Sequence, residues 1–359
     1  MKRIVIKIGS SSLVRAGGKI NDEFIFSLVS EVAKMIRSGV DVCIVTSGAI
    51  ASGVGKLGLK EKPKTLAKKQ ACAAIGQMSL MQSYEQAFDV FDIKCAQILV
   101  NHDDFGNRDR TERMTETFNR LFYFGVVPIV NENDALAVEE IKFGDNDALS
   151  ALVTLVTESD MLVLVSDIDG LYTTNPHLDK TAKLIGKVEK IDETIEKMAG
   201  VSSSAVGTGG MITKIRAAKI VTGFGKKMLI VNKSEIGSLS EIALGNKETG
   251  TSFLPSEKTL SVKKAWILFS ANVKGKIFVD KGAEKAVSAR KSLLPVGIIG
   301  SEGKFSSGDV VELVSESGAT FAKGIVNFSR EDIGIFSYEK NVPNSKRVVV
   351  HADNIALNV

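Results

Sequence analysis

Short runs of β-branched and apolar residues alternate with longer stretches of helical periodicity through the first 255 residues, the pattern of a parallel sheet covered by helices. The runs predict strands over Arg3–Ile8, Asp41–Val45, Cys95–Val100, Val126–Val130, Met161–Val165 and Met228–Val231. Between the first two, Ile25, Leu28, Val29, Val32 and Ile36 share one helical face. Asn21 stands where a cap is needed, Asp22 and Glu23 fill the first turn, and Gly39 follows the end. That is a βαβ unit.

From Gly245 to Lys263 the periodicity fades into Gly-Asn-Lys-Glu-Thr-Gly-Thr and Leu-Pro-Ser-Glu-Lys, which reads as turn-rich linker. The domains expected are therefore an α/β domain over 1–255, a linker over 256–262 and a smaller domain over 263–359. In the last, short alternating segments at Lys276–Val279, Val310–Val314 and Phe321–Val326, with one short helix near Ala283–Ala289, predict a small β-rich barrel. No internal repeat or low-complexity region is visible.

At 359 residues, 44% hydrophobic and 25% charged, the chain has the composition of a soluble globular protein with room for two or three domains. No apolar run reaches the roughly 18 residues of a membrane span, so the expected location is the cytoplasm, with no membrane contact. Residues 260–359 hold 14 Lys and Arg against 10 Asp and Glu, while the residues before them balance at 32 of each, so the whole +4 net charge sits in the tail. The tail lacks a dense arginine cluster or interleaved aromatics, and nucleic acid is not expected as a partner. Cys43, Cys72 and Cys95 lie in apolar surroundings without Cys-x-x-Cys spacing and read as buried thiols. Three scattered histidines, His102, His177 and His351, exclude a histidine-built metal site or a Ser-His-Asp triad. Chemistry must come from Lys, Asp, Asn and backbone.

In open α/β sheets ligands bind beyond the carboxyl ends of the strands, and here those positions are polar. Lys7 and Gly9-Ser10-Ser11-Ser12 follow the first strand, Thr46-Ser47-Gly48-Ala49 the second, Asn131-Glu132-Asn133-Asp134 the fourth, and Ser166-Asp167 the fifth. A lysine ending a buried parallel strand needs an anion, either a ligand phosphate or an internal carboxylate. Further on, Gly207 to Lys214 is a glycine-rich turn opening an amphipathic segment. Its bared amides and Lys214 suit a phosphate, and a plain helix-start loop is the other reading. It is no Walker A loop, because Thr213 precedes Lys214 and Ile215 follows it. Phe143 to Ser150 sets Asp145, Asn146 and Asp147 before a helical pattern. One of them serves as the cap and the others are left to bind a substrate amine, to hold the lysines, or simply to shape a loop.

Two lysines, glycine-rich cradles and carboxylates without a histidine base suit phosphoryl transfer to an acceptor that is already a nucleophile, such as a carboxylate. The run Gly53-Val-Gly55-Lys-Leu-Gly58 satisfies G-x-G-x-x-G, but it does not follow a strand, so a dehydrogenase is not expected. Val5-Ile6-Lys7 and Asp104-Phe105-Gly106 match fragments of protein-kinase motifs by chance, since too few residues precede Lys7 for a glycine-rich loop.

Taken in order, Val5–Ser10, Val45–Ile50, Asn131–Ala135, Gly144–Asp147, Ser166-Asp167-x-x-Gly170-Leu-Tyr172 and Gly207–Lys214 closely resemble the glutamate 5-kinases of the amino acid kinase family. The tail, with Gly275–Asp280, Ser292–Gly297 and Phe305–Asp309, is similar to a PUA domain. The resemblance implies ATP-dependent phosphorylation of the γ-carboxylate of L-glutamate, the first step of proline synthesis, with Mg2+ as cofactor. It also implies feedback inhibition by L-proline and a homo-oligomer, dimer or tetramer. By the same resemblance Lys7 and Lys214 would stabilise the transferring phosphoryl group, with Asp147 orienting them. Ser47, Asp134 and Asn146 would hold glutamate. Gly9 and Ser10 would form the phosphate-binding turn, while Ser166, Asp167, Thr208, Gly209, Gly210, Met211, Ile212, Thr213 and Lys214 would contact the nucleotide. Magnesium ligands stay unnamed. Asn175 stands before Pro176 where many members have Asp, so the resemblance assigns it no nucleotide-side role. Relatives acting on aspartate, acetylglutamate or nucleotides share the strand-end lysine. The Thr46–Ile50 and Asn131–Ala135 segments and the PUA-like tail favour glutamate, and an RNA-binding role through that tail is the remaining alternative.

Overall fold

The structure, a computed structural model, describes residues 2–61, 63–136, 146–176, 178–201, 210–256, 261–269, 271–336 and 347–358. Two compact units divide the chain: Met1–Asp104 with Asp109–Leu260, and Phe105–Arg108 with Ser261–Val359.

The first unit is built on an eight-stranded sheet. Its strands are β1 (Lys2–Ile8), β2 (Val40–Val45), β3 (Cys95–Val100), β4 (Val127–Glu132), β5 (Met161–Ser166), β6 (Lys187–Val188), β7 (Lys227–Asn232) and β8 (Thr251–Phe253), in the order β3-β4-β2-β1-β5-β7-β8-β6. The six strands visible in the hydrophobic pattern form its parallel part, and β8 runs antiparallel to β7. β6 and β8, two and three residues long, are too short to show a period. β8 lies within the turn-rich stretch that begins at Gly245 and inside the expected α/β domain: Thr251 is fully buried there, its hydroxyl donating to Ile185 O at 2.7 Å and accepting from Leu171 N at 2.8 Å.

Helix Asp22–Arg37 buries Ile25, Leu28, Val29, Val32 and Met35 against the sheet, each worth about 1.5–3 kcal/mol when removed from water. Asn21 occupies the cap position but makes no side-chain capping bond. Its Oδ1 instead accepts from Arg15, and acidic Asp22 and Glu23 complement the helix dipole. Helix Ala49–Lys56 lies against helix Leu66–Asp89 with almost no side chain between them. A Cβ on Gly53 would fall 1.9 Å from Cys72 O, and one on Gly76 would fall 1.8 Å from Ala49 O. The G-x-G-x-x-G run is therefore a packing seam whose first two glycines lie inside a helix. Cys43 and Cys72 are buried as expected, whereas Cys95, on edge strand β3, is only partly so.

The opposite face of the sheet carries helix Asn146–Val156, buried along its entire length, and helix Met211–Gly223. Among the described residues no helix is long and apolar enough to cross a membrane.

The second unit holds a five-stranded sheet of β9 (Val273–Val279), β10 (Ile298–Gly303), β11 (Val310–Val314), β12 (Thr320–Ile325) and β13 (Ile355–Leu357), in the order β10-β9-β11-β12-β13. Ile277, Val279, Val287, Leu293, Val311, Leu313 and Ala322 form its core. Its helix Lys281–Ser288 starts on Asp280, whose carboxylate accepts from Ala283 N at 2.7 Å. A further helix, Val262–Phe269, begins inside the stretch read as linker.

Candidate active site

β1 lies between β2 and β5, with Lys7 in register with Val45 on one side and Leu164 on the other. The chain fills one side of the sheet through β2, β3 and β4 and the other from β5 onward, so the carboxyl end of β1 is the topological switch point. Lys7 is there, 9% exposed.

Its partner is an internal carboxylate. Asp147, fully buried in the first turn of helix Asn146–Val156, accepts from Lys7 Nζ at 2.5 Å through Oδ1 and from Lys214 Nζ at 3.0 Å through Oδ2. The hydroxyl of Thr213 lies 2.8 Å from the same Oδ2. Burial works to raise the Asp147 pKa, but the two ammonium groups outweigh it and hold the carboxyl well below the usual carboxylate range. Among the described residues, two cations against one anion leave one positive charge in a largely buried site. Such a centre attracts a further anion. Gly9 is part of it, since a Cβ there would come within 4.0 Å of Lys7 Nζ.

Asn146, one residue away, joins this centre to a second cluster. Its Nδ2 lies 2.6 Å from Thr46 O, 2.8 Å from Ser47 Oγ and 3.1 Å from Asn131 Oδ1. Gly48, at φ +96° in the left-handed region, turns the chain from β2 into helix Ala49–Lys56 and passes close to Ser10. Asp134, on the turn after β4, is pushed up to about 6 by burial.

A third cluster occupies the ends of β5 and β7. Ser166 Oγ donates to Asp167 Oδ1 at 3.2 Å, and Asp169 accepts from Tyr172 OH at 2.7 Å and from Asn232 Nδ2 at 2.8 Å. Gly210 caps helix Met211–Gly223, which buries Met211 and Lys214 and leaves Ile212 exposed. Thr208 and Gly209, like Gly144 and Asp145, lie outside the described residues.

Lys7, Gly9, Asp147, Thr213 and Lys214 thus come together, as do Ser47 and Asn146, while Ser166 and Asp167 form their own group. Reading the sequence gave no role to Asn131, Gln77, Asp169 or Asn232. The usable signal for Gln77 was an amide on the face of helix Leu66–Asp89 that otherwise buries Cys72, Ala73, Leu80 and Tyr84. Among the described residues no group of three His, Cys, Asp or Glu side chains could hold a metal.

A family model described as the amino acid kinase family matches residues 2–232, well over half the chain. The chain belongs to that family. A PUA domain model matches residues 275–351 of this amino acid kinase. It is 47% identical to the glutamate 5-kinase of Carboxydothermus hydrogenoformans over 99% of this chain and 98% of that one. It is 45% identical to that of Geobacter sulfurreducens over 93% and 89%. These relatives set it among the glutamate 5-kinases. Among solved structures it is similar to carbamate kinase from Giardia lamblia bound to AMP-PNP, with a TM-score of 0.50 and 17% identity over 71% of this chain and 99% of that one, which shows the shared fold.

Proposed function

We propose that the protein transfers the γ-phosphoryl group of ATP to the γ-carboxylate of L-glutamate, giving L-glutamyl 5-phosphate for proline synthesis. The observation that carries this is the pair of buried lysines, one from a strand end and one from a helix start, held on a single carboxylate at the switch point of the sheet.

In this reading a γ-carboxylate oxygen of glutamate forms a bond to the γ-phosphorus while the bond from that phosphorus to the ADP oxygen breaks. No proton has to be removed, which suits a centre without a histidine base. Lys7 and Lys214 neutralise charge on the transferring group and the leaving oxygen, each worth a few kcal/mol of barrier. Asp147 holds both in place. Gly9, Ser10 and the 208–214 segment cradle the phosphates, and Ser166 and Asp167 face the rest of the nucleotide. Magnesium belongs to the same proposal, arriving bridged to the ATP phosphates, where such an ion needs only one or two protein carboxylates. The kinase domain is taken as 1–255 and the PUA-like domain as 263–359. Inhibition by L-proline and assembly into dimers or tetramers belong to the same proposal.

The discriminating experiment is an ATP-dependent acceptor screen of glutamate, aspartate, acetylglutamate and nucleoside monophosphates. Glutamate should dominate, and preferred turnover of any other acceptor would overturn the reading.

Ser47, Asn146 and Asp134 are proposed to hold the acceptor, with the Asp134 carboxylate facing its ammonium group. An ammonium group binds the ionised form, and burial lifts Asp134 to about 6. Affinity for glutamate is therefore complete above that pH and lost as pH falls through it. The KM for glutamate should rise below pH 6 by up to about tenfold per unit, with kcat little changed. Asp134→Asn should raise KM at neutral pH by about tenfold to a hundredfold and flatten the profile. An unchanged profile in the variant would remove Asp134 from the substrate's amine.

A further inference from the structure

Gln77 is 8% exposed and lies beneath the Thr46–Gly48 turn, on the apolar face of helix Leu66–Asp89. Its depth is fixed by the neighbouring Gly76, whose Cα rests on the backbone of Ala49 and Gly53. Gln77 Oε1 accepts from Asn131 Nδ2 at 2.8 Å. Asn131 Oδ1 accepts in turn from the backbone N–H of Glu132 at 2.9 Å and from Asn146 Nδ2 at 3.1 Å.

The direction of this chain of amides is not arbitrary. A backbone N–H can only donate, so Glu132 fixes which end of the Asn131 amide is oxygen. The nitrogen must then face Gln77, and Asn146 must turn its own nitrogen inward. That nitrogen also meets Thr46 O and Ser47 Oγ, so its two hydrogens are shared among three acceptors, of which Asn131 Oδ1 at 3.1 Å is the most distant. Asn146 Oδ1 is left as the atom available to a ligand, accepting from no donor among the described residues. Ser47, having accepted at Oγ, keeps its own proton for outward donation.

Gln77 Nε2 is buried with no partner among the described residues. A methionine would fill a similar volume without stranding two N–H groups, so packing alone gives no reason for a glutamine here. The bond to Asn131 does.

We propose that Gln77 is a positioning residue for the acceptor site. Through Asn131 it holds the Asn146 carbonyl oxygen toward the substrate, where that oxygen and the Asp134 carboxylate together receive an ammonium group. A dicarboxylate without an α-amino group leaves this pair unmatched. The amide relay therefore sets selection for the free amino acid, and this rests on glutamate being the acceptor.

The test is steady-state kinetics of the full-length protein with glutamate and with its des-amino analogue glutarate, at saturating ATP, for wild type, Gln77→Met and Gln77→Glu. Gln77→Met leaves the buried Asn131 Nδ2 without its acceptor, so Asn131 shifts and its contact with Asn146 loosens, while the Glu132, Thr46 and Ser47 contacts remain. It should raise the KM for glutamate at least tenfold and cut the glutamate-over-glutarate ratio of kcat/KM by a similar factor, with kcat and the KM for ATP within twofold. Gln77→Glu keeps an acceptor for Asn131 Nδ2 and should retain selectivity within about threefold of wild type. Selectivity within twofold of wild type in Gln77→Met overturns the proposal. So does kcat, ATP and glutamate kinetics declining in step, or a loss of selectivity in Gln77→Glu as deep as that in Gln77→Met. A wild-type protein that does not phosphorylate glutamate overturns the acceptor assignment itself, and is recognised before any variant is compared.

Discussion

Lys214→Ala is expected to lower the rate of glutamyl phosphate formation by about 10²- to 10³-fold while leaving the protein folded. Both halves follow from the same contact. Asp147 accepts from Lys7 through one oxygen and from Lys214 through the other, so removing one ammonium still leaves the buried carboxylate paired. The remaining pair is neutral, and no uncompensated charge is stranded in the interior. What disappears is the extra positive charge that an incoming phosphoryl group would meet. The measurement is kcat in a hydroxamate or coupled ADP assay, beside a melting curve. Turnover within tenfold of wild type would exclude Lys214 from charge stabilisation, and a collapsed melting transition would assign it to the fold instead. Lys7→Ala should behave alike, since its ammonium shares the same carboxylate.

Asp147→Asn has the opposite balance. It leaves two ammonium groups, on residues 9% and 5% exposed, with no buried anion between them. Breaking a buried pair in this way costs about 3–5 kcal/mol, and here one substitution breaks two. The variant should melt well below wild type. It should also gain more from ATP than wild type does, because the phosphates supply the missing negative charge. Equal melting temperatures without ligand would show that the lysines are not held by Asp147.

The acid limb of stability gives a second readout of the same residue. The folded Asp147 carboxyl lies well below its unfolded value, so its contribution is fully present above about pH 4 and is lost as pH falls through the folded value. In Asp147→Asn that part of the acid dependence should vanish.

The parallel sheet was legible because its central strands are buried on both faces and read as continuous apolar runs, from Ile4–Ile6 to Leu229–Val231. β6 and β8, of two and three residues, carry no such run, and helix Val262–Phe269 follows too closely on a stretch of turn formers to stand out. The strand-end chemistry was visible for a related reason. Lys7 breaks an apolar pattern, and a charge in such a place needs a partner.

The sequence left open whether that partner was a ligand or an internal carboxylate. The structure supplies Asp147, which also binds Lys214, so an internal ion pair and a phosphate-facing centre occupy the same atoms. Gln77 was illegible for the converse reason. The helix face it shares with Cys72, Ala73, Leu80 and Tyr84 marks it as buried, but only the fold brings Asn131 within reach.

The glycine seam between helices Ala49–Lys56 and Leu66–Asp89 bears on efforts to redirect the enzyme toward longer or shorter dicarboxylates. Substrate scope is usually widened by trimming a side chain that lines the pocket. In the seam behind Ser47 the helices meet main chain to main chain, with Gly53 against Cys72 and Gly76 against Ala49, so the seam itself offers nothing to trim. Adding even one methyl there would prise the helices apart.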